Sequence, residues 1–505
     1  MKARIKNTPI AILALALLFG ISACTDSWEE MNTDPNKLEA LSDEYIFTSA
    51  LRNTFTNQLT HIHVVHAGQY AHLMVGEAKY RDYDKYYGAG SDDYSESIYR
   101  GTYRSGIKNI TEVLELTAEG STYANKYRNA QAEIIAVVNF ARITDLFGDI
   151  PYTEAGMGKY GIKQPVYDAQ EDIYSDMVAR LKNAMDILSE TEAAANIYPE
   201  TFDPVYGGAI ENWILFANSM RFRLAMRARF ADAQKYEPLI AECLTGPLIE
   251  ENSQNPVLEN QVSDDPLLYN AWNDFVIAYE NGEYAYLWSD KFINTLEDSN
   301  DPRLSFFATK NNDGEYLGMP NGLSDSKFPS WPQSNTSVPS AEFFAKDQPY
   351  YLITAAEIWL LKAEAALFGI GTGDANLHYQ NGIRAAMEQW DIHSDSISNF
   401  LAEEAEARLN GDTENQFRQI ATQMWISSLP NSLEAWNTVR RTAYPVIEQR
   451  TGPDYSQGIT EGYMPTRLFY PGQVERSING ANMDEAISRM PDGDKIDSRV
   501  WWDVR

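Results

Sequence analysis

Ile210-Glu211-Asn212-Trp213-Ile214-Leu215-Phe216-Ala217-Asn218-Ser219-Met220-Arg221-Phe222-Arg223-Leu224-Ala225-Met226-Arg227 sets apolar side chains at Ile210, Trp213, Ile214 and Ala217, continuing through Met220 and Leu224. Steps of three and four residues follow the turn of an α-helix, so the stretch reads as an amphipathic helix with a core-facing stripe. The same period recurs at Ile134, Val137, Val138 and Ala141, and again at Ala356, Leu360, Ala363 and Leu367. Gly148 and Pro151 close the first of these helices, and Gly369, Gly371 and Gly373 close the second. Helix after helix predicts a mainly α fold of amphipathic helices stacked on one another. No repeat of fixed period and shared signature accompanies them, so a helical-repeat scaffold is argued from succession alone.

Two stretches have a different texture. Between about residues 246 and 348 prolines stand at 247, 256, 266, 302, 320, 329, 332 and 339, and helical stripes are few. Proline removes an amide donor and fixes φ, which predicts loops and short elements packed over the helices. A second irregular stretch is expected from about Pro445 to residue 505. Long loops on a regular scaffold are where binding is usually carried. Aromatic side chains crowd the same regions. Tyr80, Tyr83, Tyr86 and Tyr87, followed by Tyr94, Tyr99 and Tyr103, lie in a segment rich in Asp, Gly and Ser. Tyr269, Trp272, Tyr279, Tyr284, Tyr286 and Trp288 form a second group, and Trp331 stands alone among prolines. Tyrosine and tryptophan offer a flat face with a polar edge, suited to stacking on a sugar ring or gripping a peptide. The candidate ligand residues are therefore Tyr80, Tyr83, Tyr86, Tyr87, Tyr269, Trp272, Tyr284 and Trp331. For each one, core packing or contact with a partner protein is the competing role.

Charge and the N-terminus bound the setting. The 505-residue chain has 41 basic and 72 acidic side chains, a formal net charge of −31. Phosphate backbones and anionic headgroups would repel it, so nucleic acid is an improbable ligand and neutral or cationic molecules are favoured. Lys2, Arg4 and Lys6 precede an apolar run from Ile10 to Ile21, too short to span a bilayer but in the order of a secretion signal. The run ends in Ile21-Ser22-Ala23-Cys24, which resembles a lipobox: residues 1–23 would be removed and Cys24 acylated, an anchor that needs no apolar patch on the fold. The acidic run Thr25-Asp26-Ser27-Trp28-Glu29-Glu30 fits a tether over residues 24–37, leaving residues 38–505 as one domain. Cys243 is then the remaining thiol, and no disulfide can form.

Several segments, taken in order, resemble the SusD/RagB family, and its SusD-like lipoprotein branch in particular. They open with Asn32-Thr33-Asp34-Pro35-Asn36 and continue with Thr144-Asp145-Leu146-Phe147-Gly148-Asp149-Ile150-Pro151-Tyr152. Asp203-Pro204-Val205-Tyr206-Gly207-Gly208 and the stretch from Trp213 to Arg227 follow. The second half adds Asp301-Pro302-Arg303, Thr354-Ala355-Ala356-Glu357, Glu434-Ala435-Trp436, Arg440-Arg441-Thr442, Tyr444-Pro445 and the closing Trp501-Trp502-Asp503. The resemblance implies a scaffold of tetratricopeptide-like helix pairs with an irregular, loop-rich ligand-binding face. It also implies an outer-membrane, cell-surface lipoprotein that hands a nutrient to a SusC-type TonB-dependent barrel. It does not fix the ligand, since function resides in the site and not in the fold. Oligosaccharides are favoured, with peptides next.

The remaining polar clusters have structural readings. Arg221, Arg223, Arg227 and Arg229 lie among core residues, where Glu357 and Glu364 of a facing helix can pair with them. Asp149 is placed to accept amides in the turn before Pro151. His61, His63, His66 and His72 do not share one helical face, so a zinc site is disfavoured. Asp492, Asp494, Asp497 and Asp313 have the oxygen chemistry of a structural calcium site without its twelve-residue loop. No phosphate loop, GxSxG elbow or HExxH is present in the sequence, so no catalytic residue or cofactor is assigned. The alternatives are a surface glycoside hydrolase, needing a carboxylate pair in a cleft, and a purely structural envelope protein.

Overall fold

Helix follows helix from Asp43 onward. The computed structural model describes residues 41–77, 80–87, 94–265, 267–277 and 286–505, without the side chains of Phe275 and Ile277. Cys24, the signal and tether segments, the Asn32–Asn36 motif, Tyr279 and Tyr284 lie outside the described residues. The principal helices are α1 (Asp43–Thr56), α2 (Tyr94–Gly101), α3 (Lys108–Thr117), α4 (Lys126–Phe147), α5 (Gln170–Leu188), α6 (Ile210–Ala228) and α7 (Ala233–Thr245). The second half supplies α8 (Asp290–Asp298), α9 (Ala355–Leu367), α10 (Ala375–Glu388), α11 (Ser394–Glu403), α12 (Thr413–Ser427), α13 (Ser432–Thr442) and α14 (Val474–Ser488). Among the described residues no helix is long and apolar enough to cross a membrane.

Neighbours in sequence pack as neighbours in space: α3 on α4, α4 on α5, α5 on α6, α6 on α7, α9 on α10 and α12 on α13. Side-chain caps define where these helices begin. Asn125 accepts the amides of Tyr127 and Arg128 at 3.0 and 3.2 Å, and Thr354 and Asp374 do the same for α9 and α10. Each such cap contributes about 1 kcal/mol. α4 stops at Gly148, whose φ of +85° ends the helix in a conformation that side chains disfavour.

α6 is the central helix. Every residue from Phe216 to Ala228 is buried, so its arginines have no water to face and must be paired. Arg223 meets Glu357 of α9, with Nε 2.5 Å from Oε1. Arg227 bridges Asp145 of α4 and Glu434 of α13. Arg221 forks onto Glu242 of α7 at 2.9 and 3.0 Å. Glu364 takes its closest partner from elsewhere: Arg441 of α13 holds it at 2.5 and 2.6 Å, and Arg229 stands at 3.9 Å. The expected pairing with Glu357 and Glu364 is thus present, but it is one part of a lattice joining five helices.

The irregular segments are fastened to this scaffold by buried tryptophans. Trp425 of α12 donates to the Ala71 carbonyl at 2.8 Å, and Trp436 of α13 donates to the Pro465 carbonyl at 2.9 Å. Two short antiparallel ladders organise the loops: β1 (Met74–Gly76) pairs with β3 (Tyr286–Trp288), and β2 (Val257–Leu258) with β4 (Tyr350–Tyr351). The stretch after residue 445, expected to be irregular throughout, contains α14. Only Asn479, Met483 and Ala486 of that helix are buried and Asn479 departs from helical geometry, so there is little apolar stripe to read.

Candidate functional site

Residues 61–67 form a π-helix, whose wider turn sets the local side-chain positions. His63 Nδ1 accepts the Leu433 amide at 3.2 Å, His66 Nδ1 bonds the His61 carbonyl at 2.8 Å, and His72 Nε2 bonds the Tyr86 hydroxyl at 2.8 Å. Each histidine is committed to its own structural partner. Asp149 is also used differently from expectation. It accepts the amide of Gln170, the first residue of α5, at 2.9 Å and the Arg489 guanidinium at 2.6 Å, while Asp168 serves the Tyr152 amide. Asp494 is engaged by Arg467 at 2.6 Å and the Tyr470 amide at 3.2 Å. Among the described residues no group of three or more His, Cys, Asp or Glu side chains is placed to hold a metal.

Pairing of β1 with β3 brings the two aromatic groups of the sequence together. The Tyr80 ring stacks on Tyr286 at 5.1 Å, Tyr94 stands 5.7 Å from Tyr83, and His61 stacks on Tyr94 at 4.4 Å. Burial sorts the candidates. Tyr80, Tyr83, Tyr86 and Trp272 are buried, so in this conformation their rings serve packing and not a solvent-facing ligand surface. Tyr86 is the clearest case: its ring lies 3.6 Å under the Arg450 guanidinium, and burial pushes its hydroxyl up to about 12. Trp272 packs edge-on against Tyr350 at 5.5 Å. Tyr87 remains 44% exposed, with the Lys85 ammonium 5.1 Å over its ring. Tyr269 is half-buried beneath Lys346 at 4.6 Å, in a groove of ≈ 750 Å³ that it shares with Tyr45, Phe202, Leu267 and Tyr350.

Trp331 lies apart from that groove. It is half-buried, and together with Phe328 and Val338 it packs on a small apolar cluster of Val75, Leu287, Met319 and Leu323. That cluster includes the central residues of β1 and β3, so the ladder carries the tryptophan. Arg81 lies 3.6 Å over the Phe328 ring and donates to the Leu323 carbonyl at 3.3 Å. Arg81 and Lys85 both reach Asp325 at 3.2 Å, and the Lys85 hydrogen bond holds the Asp325 carboxyl below its usual range. The result is a supported aromatic surface with its charges already paired. Neither Arg81 nor Phe328 was anticipated from sequence; the run Phe328-Pro329-Ser330-Trp331-Pro332, aromatics fixed by prolines, carried the signal for the second.

Beneath this surface a buried polar lattice locks the loops. Asp84 accepts Asn321 Nδ2 at 2.6 Å and the Gly322 amide at 2.5 Å, and Arg450 stands 3.6 Å from it and 3.3 Å from His72. Burial raises the Asp84 carboxyl, and burial followed by the charge of Arg450 lowers the His72 imidazole. The Ser324 amide donates to the Asp454 carbonyl at 2.9 Å and the Ser456 amide to the Gly322 carbonyl at 2.7 Å, laying the loop around residue 455 along the loop around residue 323. Gly322 has φ +71°, and a Cβ there would come within 2.3 Å of Arg450. Such supported packing fixes a surface before any ligand arrives.

A family model described as "Starch-binding associating with outer membrane", SusD-like, matches residues 35–471. Among solved structures, a chitin-binding protein is 27% identical with a TM-score of 0.80, over 92% of this chain and 100% of its own. A SusD homologue from Bacteroides ovatus is 22% identical with a TM-score of 0.77, over 92% and 100%. A chitin-binding SusD homologue from Flavobacterium johnsoniae is likewise 22% identical with a TM-score of 0.77, over 92% and 99%. The latter two bear on the fold alone. A search of curated proteins by sequence gives no match.

Proposed function

The chain belongs to the SusD-like family of outer-membrane-associated, glycan-binding surface proteins, and from that premise we propose that it captures oligosaccharides on the Trp331 surface and delivers them to a SusC-type TonB-dependent barrel. The observation that carries this reading is the half-buried Trp331, backed with Phe328 by the apolar cluster that includes Val75 of β1 and Leu287 of β3. Tyr87, exposed beside the paired Lys85 and Asp325, adds a second ring and polar neighbours. A sugar ring offers an apolar C–H face to an aromatic and hydroxyls to the polar rim, which is the chemistry this surface can satisfy. The net charge of −31 favours uncharged saccharides over anionic ones.

Chitin-derived oligosaccharides are the first ligands to try, because the 27%-identical structural relative is named a chitin-binding protein. Acylation at Cys24 would hold the protein on the same membrane as the barrel and raise their mutual effective concentration, so a modest affinity suffices. Calorimetric titration of the full-length chain in detergent tests the site. Wild type is expected to bind saturably, and Trp331→Ala to bind about tenfold more weakly, a loss of about 1.4 kcal/mol. Tyr45→Ala, in the groove around Tyr269, should leave binding unchanged. Affinity that ignores Trp331 and follows Tyr45 would move the site to that groove.

A further inference from the structure

A cleft of ≈ 510 Å³ lies beside the Asp84–Arg450 lattice, with His72, Asn321 and Arg450 among its lining residues. α8 contributes one wall. Phe292, Ile293 and Leu296 of that helix face the core, and Lys291, Asn294 and Asp298 line the cleft. A polar helix face is ordinarily just a solvated one. Here it is met by a second polar element, the loop carrying Glu448, Gln449 and Tyr455. Lys291 Nζ stands 3.3 Å from Glu448 Oε2, joining helix to loop. Tyr455 keeps 37% of its surface exposed. Two buried polar atoms of the lining residues, Asn321 Oδ1 and Arg450 Nε, make no hydrogen bond within the protein. An unpaired buried polar atom is destabilising, so the lattice beside this cleft is not fully satisfied within the protein.

We infer that this cleft is a second saccharide subsite, separate from the Trp331 surface, taking a neutral or amino sugar. The inference rests on the reading that the ligand is a glycan. The cleft presents carboxylate acceptors, an ammonium donor, amides that do both, and one aromatic ring. That mixture matches a sugar, whose hydroxyls donate and accept around an apolar face. Asp290, Asp298 and Glu448 outnumber Lys291 and Arg450, which disfavours uronic or sulfated units and suits neutral or cationic ones. The two subsites are joined through the backbone. Tyr455 forms a β-bridge with Leu323, and Leu323 belongs to the cluster on which Trp331 packs. A polymer long enough to occupy both gains effective concentration at the second, so the protein should discriminate ligands by length.

The test is titration of the full-length chain with chitin-derived di- and hexasaccharides, using Asn294→Ala and Tyr455→Ala, both at exposed positions. Wild type is expected to favour the hexasaccharide by about tenfold or more, and each variant to shrink that ratio to about threefold or less, with Trp331-dependent disaccharide binding retained. Wild-type ratios in both variants, with binding still dependent on Trp331, would overturn the second subsite and leave the first. Absence of saccharide binding in every protein would overturn both. Equal thermal midpoints for wild type and variants would show that the losses are local.

Discussion

Asp503, in the closing Trp-Trp-Asp, is buried with one carboxylate oxygen lacking a partner, while the other stands 3.5 Å from Arg499. Burial raises its carboxyl from the ordinary 3.8 to about 6, against the opposing pull of Arg440 and Arg499. The folded protein therefore holds this proton more tightly than the unfolded chain. The sign follows: the stabilisation is complete below about pH 4 and is lost as pH rises through about 6, amounting to about 3 kcal/mol. Wild type should lose stability relative to Asp503→Asn across that window, and denaturation midpoints measured from pH 4 to 7 would show it. A pH-independent difference between the two proteins would refute the assignment. At the same scale, what the sequence conveyed about the site was residue type and not exposure. Tyr86 and Tyr87 are adjacent and chemically identical, yet one is enclosed by Arg450 and His72 and the other faces solvent. The difference is made by Arg450, a partner hundreds of positions away, which no local pattern contains.

At the scale of elements, the helices are held in register by buried ion pairs whose removal is asymmetric in cost. Glu364 and Arg441 are both buried and doubly bonded. Glu364→Gln strands the guanidinium and should cost about 3–5 kcal/mol. Lys362→Ala, which breaks the partly exposed pair with Glu250, should cost less than about 1 kcal/mol. Urea midpoints compare the two, and equal losses would contradict a structural role for the buried pair. Helix positions were largely legible, because stripes such as Ile134 to Ala141 and stops such as Gly148 are local signals. The arginines of α6 were legible as paired because they interrupt a core stripe. Three features escaped: α14, which buries too few side chains to show a stripe; the π-helix at His61–Ala67, whose period differs from the one sought; and the β1 to β3 ladder, which joins residues more than two hundred apart.

At the scale of the whole molecule, a helical scaffold with a charge-paired interior carries a layer of loops, and tryptophans such as Trp425 and Trp436 fix that layer from below. The loops bearing Trp331 and Tyr455 are held by the β1 to β3 ladder and by backbone bonds to each other. The division of labour explains why family and fold were readable while the exposed aromatic surface was not: the scaffold is built from local periodicity, the surface from contacts between distant loops. A carrier's ligand leaves as it arrived. The most direct test is to titrate the full-length chain with chitin-derived hexasaccharide and then analyse the recovered sugar. Saturable binding and a hexasaccharide returned intact are expected of a carrier; shorter products, abolished when a cleft carboxylate is replaced by its amide, would make the protein a hydrolase instead.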